Sequence, residues 1–288
     1  MLHTPVLTVE VLEFLQPERG GVFVDATTGT GGHSLALLER VSGKIRLISI
    51  DQDFQSLEKA RQRMTPFWEK VTFLKGNFRN LKGILANIGV EKVDGVVYDL
   101  GLSNYLLTES GRGFSFQRDE PLCMRYDPAE GQSVQKLLRN LSAEPLADIL
   151  YRYGEIRESR VLARRIKEEE KRHAISTTTQ LAGIVRKVLR RRGRTDPATR
   201  VFQALRIAAN NELGNLALSL PQAVEILRIG GRLVVVSYHS LEDRIVKNFL
   251  RTSPHLKVIT RKVVKPDRAE IMANPASRSA RLRAAEKM

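Results

Sequence analysis

The sequence predicts an α/β fold: a mostly parallel sheet interrupted by an inserted all-helical domain. Three observations predict it. Continuous apolar runs alternate with helical patterns through the first third of the chain, a Gly-rich turn follows the first run, and strand character vanishes near residue 102 and returns only at 232. Residues 22–26 form the first apolar run, which ends in Thr27-Thr28-Gly29-Thr30-Gly31-Gly32. Residues 34–41 are helical in pattern, 46–51 (Arg-Leu-Ile-Ser-Ile-Asp) a second strand, 54–64 a helix, 71–74 a third strand and 93–100 a fourth. Runs without polar alternation belong to strands covered on both faces, the condition of a parallel sheet between helices. Residues 102–127, rich in Gly, Pro and polar side chains, read as loop, and 134–189 as helices throughout. One long helix over 199–227 leads through Gly230-Gly231 to a strand at 232–238. Residues 267–279 read as an extended basic loop, and 280–285 as a last strand. The expected division is 1–108 with 205–288 for the α/β domain and 109–204 for the helical insertion.

Of the 288 residues, 42 % are hydrophobic and 27 % charged, a globular composition. No basic start followed by an apolar run opens the chain, and no stretch reaches the ~20 apolar residues that span a bilayer. A cytoplasmic location, away from membranes, is the expectation. Cys123 has no internal disulfide partner, and no Cys/His spacing suggests a metal site. The net charge of +15 is unevenly placed: residues 152–200 carry +9, 251–288 carry +7, and the rest −1. A solvated surface is the competing reading, but the run Arg190-Arg191-Arg192-Gly193-Arg194 favours a polyanion, because guanidinium pairs with phosphate bidentately and stacks on bases. A membrane surface is disfavoured, since no basic helix presents a Trp/Phe/Leu face. Monomer and homodimer both remain open.

Glycines at 29, 31 and 32 let the backbone turn sharply and approach a ligand. Asp51, at the end of the second strand and 22 residues after Gly29, suits hydrogen bonding to ribose hydroxyls. The motif departs from Gly-x-Gly-x-x-Gly at Ser34, and Asp25 sits at the loop's start. A carboxylate there repels a pyrophosphate but suits S-adenosylmethionine, which carries positive sulfonium and amino groups. The alternative is that Asp25 only caps the turn.

These stretches resemble the MraW (RsmH) family of bacterial 16S rRNA cytosine-N4 methyltransferases. The matching blocks run the length of the chain: His3-Thr4-Pro5-Val6-Leu7, Gly31-Gly32-His33-Ser34, Ile50-Asp51-Gln52-Asp53, Asp94-Gly95 through Asp99-Leu100-Gly101, Arg112-Gly113-Phe114-Ser115-Phe116, Tyr153-Gly154-Glu155, Pro197-Ala198-Thr199-Arg200, Phe202 through Ile207, Gly231-Arg232-Leu233, Ser240 through Lys247, and Asn274-Pro275 through Arg278-Ser279. The resemblance implies a Rossmann-like class I methyltransferase domain with a helical insertion, S-adenosylmethionine as methyl donor, and 16S rRNA or the small ribosomal subunit as partner. It implies methylation of one cytidine amine in the decoding region. Cofactor contacts carry over to Gly31, Gly32, His33, Asp51, Phe78 and Asp99, with Phe78 placed to lie against adenine or, alternatively, simply in the core. Two departures stand out: Leu106 replaces a Gln that contacts the cofactor in the family, and Cys123 replaces an Asp.

On this reading Asp99, with Ser103 and Asn104, borders the target amine. A cap or a pure cofactor contact is the alternative for Asp99. Tyr238, ending the strand that returns after the insertion, is a candidate to stack on an extruded base. His239 is expected beside it, and a metal site of His239, Glu242 and Asp243 is weighed below a helix start whose acids suit its dipole. Arg112, Tyr238, His239 and Arg190–192 are the candidate RNA contacts. The competing function classes are a non-catalytic RNA-binding ribosome-assembly factor on the same fold, a nicotinamide oxidoreductase, and a metal-dependent nuclease.

Overall fold

The computed structural model describes residues 5–41, 43, 45–191 and 196–288. The motif residues His3 and Thr4 and the basic residues Arg192 and Arg194 lie outside the described residues. In chain order the elements are α1 (Thr8–Leu15), β1 (Gly21–Asp25), α2 (Gly32–Arg40), β2 (Ile45–Asp51), α3 (Phe54–Arg63), β3 (Val71–Lys75), α4 (Leu81–Ala86) and β4 (Val93–Asp99). The helices α5 (Asn104–Thr108), α6 (Val134–Asn140), α7 (Ala143–Gly154), α8 (Ser159–Arg172), α9 (Thr178–Val188), α10 (Ala198–Asn210) and α11 (Glu212–Ile226) follow. The chain ends with β5 (Leu227–Ser237), α12 (Ser240–Thr252), β6 (Leu256–Val258), α13 (Arg268–Ala273) and β7 (Arg281–Lys287). Two units separate by their contacts: residues up to Ser103 with Leu213–Met288, and Asn104–Glu212.

Within the first unit, seven strands among the described residues form one sheet in the order β3-β2-β1-β4-β5-β7-β6. β1 to β5 pair in parallel, and β7 runs antiparallel to β5 and β6. The uninterrupted apolar strands explain this arrangement, because successive side chains point to opposite faces and both faces are covered. Val24, Ile48, Ile50, Val96, Tyr98 and Val235 pack with Leu85 of α4, Leu220 of α11 and Val246 of α12. Phe23, Leu47, Val97, Val234 and Val236 face the other way, onto Val11, Leu37 and Ala60 of α1 to α3. The chain leaves β1 toward β2 and β3 on one side, and β4 toward β5 on the other. The order therefore reverses between β1 and β4, and open α/β sheets bind ligands outside the carboxyl ends at such a point.

The tail differs from its expectation. Residues 267–279 are not an extended loop: the Asp267 carboxylate accepts from the N–H of Glu270 at 2.7 Å and starts α13, and Pro275–Ser279 form a 3-10 turn. Asp at the cap with Glu three residues on is a helix-start signal that the basic composition obscured. The helix expected over 199–227 is two helices. Asn211 interrupts them in the left-handed conformation (φ 49°), which asparagine tolerates better than most residues.

The second unit is helical, as its pattern predicts. Leu138, Leu150, Leu162, Ile166, Leu181, Val185 and Leu205 are buried within it. Ser133 caps α6, and Thr177 with Gln180 forms a capping box at α9. The Arg-rich face of α8 carries Arg165 paired with Glu168 and Glu169, exposed pairs of small energetic weight.

Candidate active site at the ends of β1, β2 and β4

Three carboxylates end three neighbouring parallel strands: Asp25 on β1, Asp51 on β2 and Asp99 on β4. Their surroundings divide their roles. Asp25 is fully buried; it accepts from Ser34 Oγ at 2.7 Å and from the Thr27 N–H at 3.2 Å. Ser34 Oγ also lies 3.1 Å from Ser49 Oγ. This carboxylate braces the glycine loop from below. Burial pushes it above the usual carboxylate range, against the Ser34 hydroxyl.

Asp51 meets the loop from the side. Its Oδ2 accepts from the Gly29 N–H at 2.6 Å and its Oδ1 from the Asp53 N–H at 2.8 Å. Each carboxylate oxygen has two acceptor positions, so both retain room for a ligand hydroxyl. Burial lifts Asp51 to about 7, in spite of the two backbone donors. Gly31 precedes α2 with φ at 84°, and a Cβ there would stand 3.0 Å from Ala60 Cβ and from Met64 Cε. Its missing side chain thus allows both the left-handed turn and the close seating of α3. A Cβ on Gly32 would stand 3.0 Å from Pro5 Cβ, which ties the opening Pro5-Val6-Leu7 motif to the loop.

Asp99 is the most connected of the three. Its N–H donates to Thr27 Oγ1 at 2.6 Å, and its Oδ1 accepts from the Tyr238 hydroxyl at 2.8 Å. Its Oδ2 lies 3.3 Å from His33 Nε2, and its side chain is 23 % exposed, enough to meet a substrate. Burial works to raise Asp99, but the His33 imidazole and the Tyr238 hydroxyl outweigh it and hold the group below its ordinary range. His33 is 5 % exposed, and neither ring nitrogen completes a hydrogen bond. Burial lowers its pKa, yet Asp99 beside it raises it more, so its net shift is upward.

The remaining candidates fall in several places. Phe78 opens a 3-10 turn after β3, half-buried and edge-on to Tyr98 at 5.6 Å. Ser103 closes the first unit, half-buried, while the exposed Asn104 starts α5 in the second. His239 caps α12: its Nδ1 accepts from the Glu242 N–H at 3.3 Å, as the helix-start reading of this segment expects. Glu242 in turn accepts from the N–H groups of Tyr238 and His239, and Asp243 is paired with Arg283 at 2.6 Å. Tyr238, the candidate to stack on an extruded base, has its ring over Gly101, where a Cβ would be 2.7 Å from Cε2.

Within the helical unit, Arg112 is buried, and its guanidinium donates to the carbonyl of Tyr126 at 2.7 Å. It braces its own loop and does not offer a surface to phosphate. Arg190 and Arg191 are exposed. Leu106 is buried in this unit, and Cys123 Sγ lies 3.5 Å from Arg125 Nε. Thr27, Ser34 and Glu242 hold Asp99, Asp25 and Tyr238, roles that the sequence alone does not assign to them. Ser34 had a signal: it stands where a dinucleotide motif requires glycine.

S-adenosylmethionine fits this edge. The linked carboxylates suit a ligand with two cationic groups and oppose a pyrophosphate. The unsatisfied buried nitrogens of His33 are what a polar ligand group would complete. No described helix is long and apolar enough to cross a membrane. The family model described as MraW methylase matches residues 1–288. Ribosomal RNA small subunit methyltransferase H of Thermomicrobium roseum is 45 % identical over 305 residues, covering 99 % of this chain and 94 % of that protein. The proteins of the same name from Endomicrobium trichonymphae (44 %, covering 100 % and 99 %) and Thermotoga neapolitana (45 %, covering 99 % and 95 %) are equally similar. With a match over its full length and relatives at this identity, the chain belongs to the MraW methylase family, whose methyl donor is S-adenosylmethionine.

Proposed function

We propose that this methylase transfers a methyl group to the N4 amine of a cytidine in the decoding region of 16S rRNA. The observation that carries the reading is Asp99: an ionised, partly exposed carboxylate at the switch point between β1 and β4, beside the glycine loop. Bound at that loop, S-adenosylmethionine supplies a methyl on a cationic sulfur that leaves readily. Asp51 accepts from the ribose hydroxyls, Phe78 borders the adenine, and Gly31, Gly32 and His33 line the remaining contacts. A cytosine amine is a poor nucleophile because its lone pair is delocalised into the ring. Asp99 accepts from the amine hydrogens, turns the lone pair toward the methyl group, and gives the departing proton an acceptor; Ser103 borders the same place. Alignment of this kind is the main catalytic requirement of an in-line displacement. The small-subunit RNA substrate rests on the names of the similar proteins.

The helical unit is the proposed grip on the RNA backbone. A cleft of about 680 Å³ in it is lined by Arg157, Arg190 and Arg200, with Glu155 and Glu158 beside them, over Ile156, Val188 and Pro197. All three arginines are exposed. Asp196 in the same cleft is already paired with Arg186 at 2.9 Å. Part of the tail's positive charge is structural instead: Arg283 is bound to Asp243, and Lys287 Nζ donates to the carbonyls of Val224 (2.7 Å) and Leu227 (2.8 Å).

The test is incubation with labelled methyl donor and small ribosomal subunits lacking the modification, followed by mass mapping of the modified nucleoside. N4-methylcytidine in the decoding region is the expected product. A label on another nucleoside would overturn the cytidine assignment, and no transfer to subunits or free rRNA would overturn the activity.

A further inference from the structure

We infer that Tyr238 is a positioning residue: its hydroxyl anchors one oxygen of Asp99 so that the carboxylate presents its accessible side to the target amine. The inference rests on the proposed role of Asp99. Tyr238 follows directly on β5, and three contacts fix it. Its backbone N–H donates to Glu242 Oε2 at 2.9 Å, which ties it to the first turn of α12. Its ring lies against the Gly101 backbone, in a gap that any side chain there would close. Its hydroxyl donates to Asp99 Oδ1 at 2.8 Å. A phenol that accepts its place in this way cannot swing out to stack on a base without releasing Asp99.

The hydroxyl is a committed donor. Burial and the neighbouring carboxylates of Asp99, Glu242 and Glu270 push its ionisation far above the normal tyrosine range. Asp99 is faced by His33 from α2, by Asp25 from β1 and by Tyr238 from the end of β5. His33, Tyr238 and the Gly101 backbone N–H favour its charge and Asp25 opposes it. Of the two side chains that favour it, Tyr238 makes the closer contact, 2.8 Å from its hydroxyl to Oδ1 against 3.3 Å between His33 Nε2 and Oδ2. Removing that bond leaves Oδ1 without its anchor and makes the carboxylate easier to protonate.

Tyr238→Phe keeps the ring over Gly101 and removes only the hydroxyl. The Asp99 carboxyl titration, followed by carbon-13 NMR on the full-length protein, should move to higher pH in the variant. Methyl transfer should lose roughly tenfold or more in kcat, the scale of one hydrogen bond to a charged group, with KM for donor and RNA little changed. The acid limb of the kcat profile should shift upward with the NMR titration. In an Asp99→Asn background, adding Tyr238→Phe should cost nothing further. An unchanged Asp99 titration, or a loss that adds in full to that of Asp99→Asn, would overturn the inference. A shift of the Asp99 titration in Tyr238→Phe, together with a wild-type protein that methylates no small-subunit RNA, would support the anchoring and overturn the reading of what Asp99 serves.

Discussion

Replacing Asp51 with asparagine should stabilise the ligand-free protein at alkaline pH while loosening its hold on the methyl donor. Burial lifts the Asp51 pKa from 3.8 to about 7. A folded pKa above the unfolded one means that the folded state favours the proton. The associated stability is therefore complete below pH 3.8 and is lost as pH rises through about 7. A shift of about 3 units corresponds to ~4 kcal/mol at 1.36 kcal/mol per unit. Asp51 is half-buried, and solvent screening reduces this to about 2 kcal/mol. Asparagine is neutral at every pH and escapes the loss. It accepts only one of the two N–H groups now bonded to the carboxylate and turns its own amide toward the other, a pH-independent deficit of about 1 kcal/mol. The variant-minus-wild-type difference in urea unfolding should thus move in the variant's favour by about 1–2 kcal/mol from pH 5 to pH 8. Calorimetric titration with S-adenosylhomocysteine at pH 8 should show about tenfold weaker binding or worse, because the ribose hydroxyls lose a charged acceptor. A stability difference that does not vary with pH would refute the reasoning about burial, and an unchanged affinity would refute the ribose contact.

Three further outcomes follow from the same geometry. Ser34→Ala removes the 2.7 Å bond to the buried Asp25 carboxylate and should cost about 2 kcal/mol in urea unfolding; a neutral result would mean that Asp25 does not hold the loop. Gly31→Ala forces a Cβ into a left-handed residue 3.0 Å from Ala60 and Met64, so ~1–2 kcal/mol of stability and measurable donor affinity should be lost, read by thermal unfolding and calorimetry. Arg190→Glu with Arg200→Glu should weaken rRNA binding and flatten its dependence on log salt by about 1–2 units, since each phosphate contact contributes roughly 0.7–0.9, with donor affinity intact; an unchanged slope would remove the cleft from the RNA path.

The sheet was legible because its signal is long-range and redundant. The inner parallel strands are buried on both faces, so Val24, Ile48, Val96 and Val235 sit in largely apolar runs, whereas the edge strand β3 has no buried residue. The three-residue β6 leaves no such run. The α13 start at Asp267 depends on one carboxylate meeting one N–H, a local contact that a basic surrounding sequence hides. The same distinction applies at the candidate site. Asp51 announces itself by its distance from a glycine turn, whereas the pairing of Tyr238 with Asp99 joins residues 139 apart and exists only once β4 and β5 lie side by side in register. Arg112 shows the converse: a conspicuous basic motif whose guanidinium serves backbone carbonyls.

Asp25, Asp51 and Asp99 together oppose a pyrophosphate more strongly than Asp25 alone. Parallel strands bring their carboxyl ends to one edge, so acids at those ends must share a small volume. Their fields reach one another: Asp99 raises Asp25, and Asp25 raises Asp51. Three fully ionised groups so close would repel, and the surroundings resolve this unequally. Asp25 and Asp51 are shifted upward by burial, and Asp99 is drawn down by His33 and Tyr238. Environments that push neighbouring carboxyls apart in pKa mark a division of labour between them. A cationic ligand at this edge relieves that repulsion, and it does so most where ionisation is held back. Donor binding should therefore draw protons off Asp51 near neutral pH. The enthalpy of S-adenosylmethionine binding at pH 7 should then depend on the ionisation heat of the buffer, and that dependence should disappear in Asp51→Asn. Equal enthalpies in phosphate and Tris for the wild type would mean that Asp51 is already fully ionised before the ligand arrives.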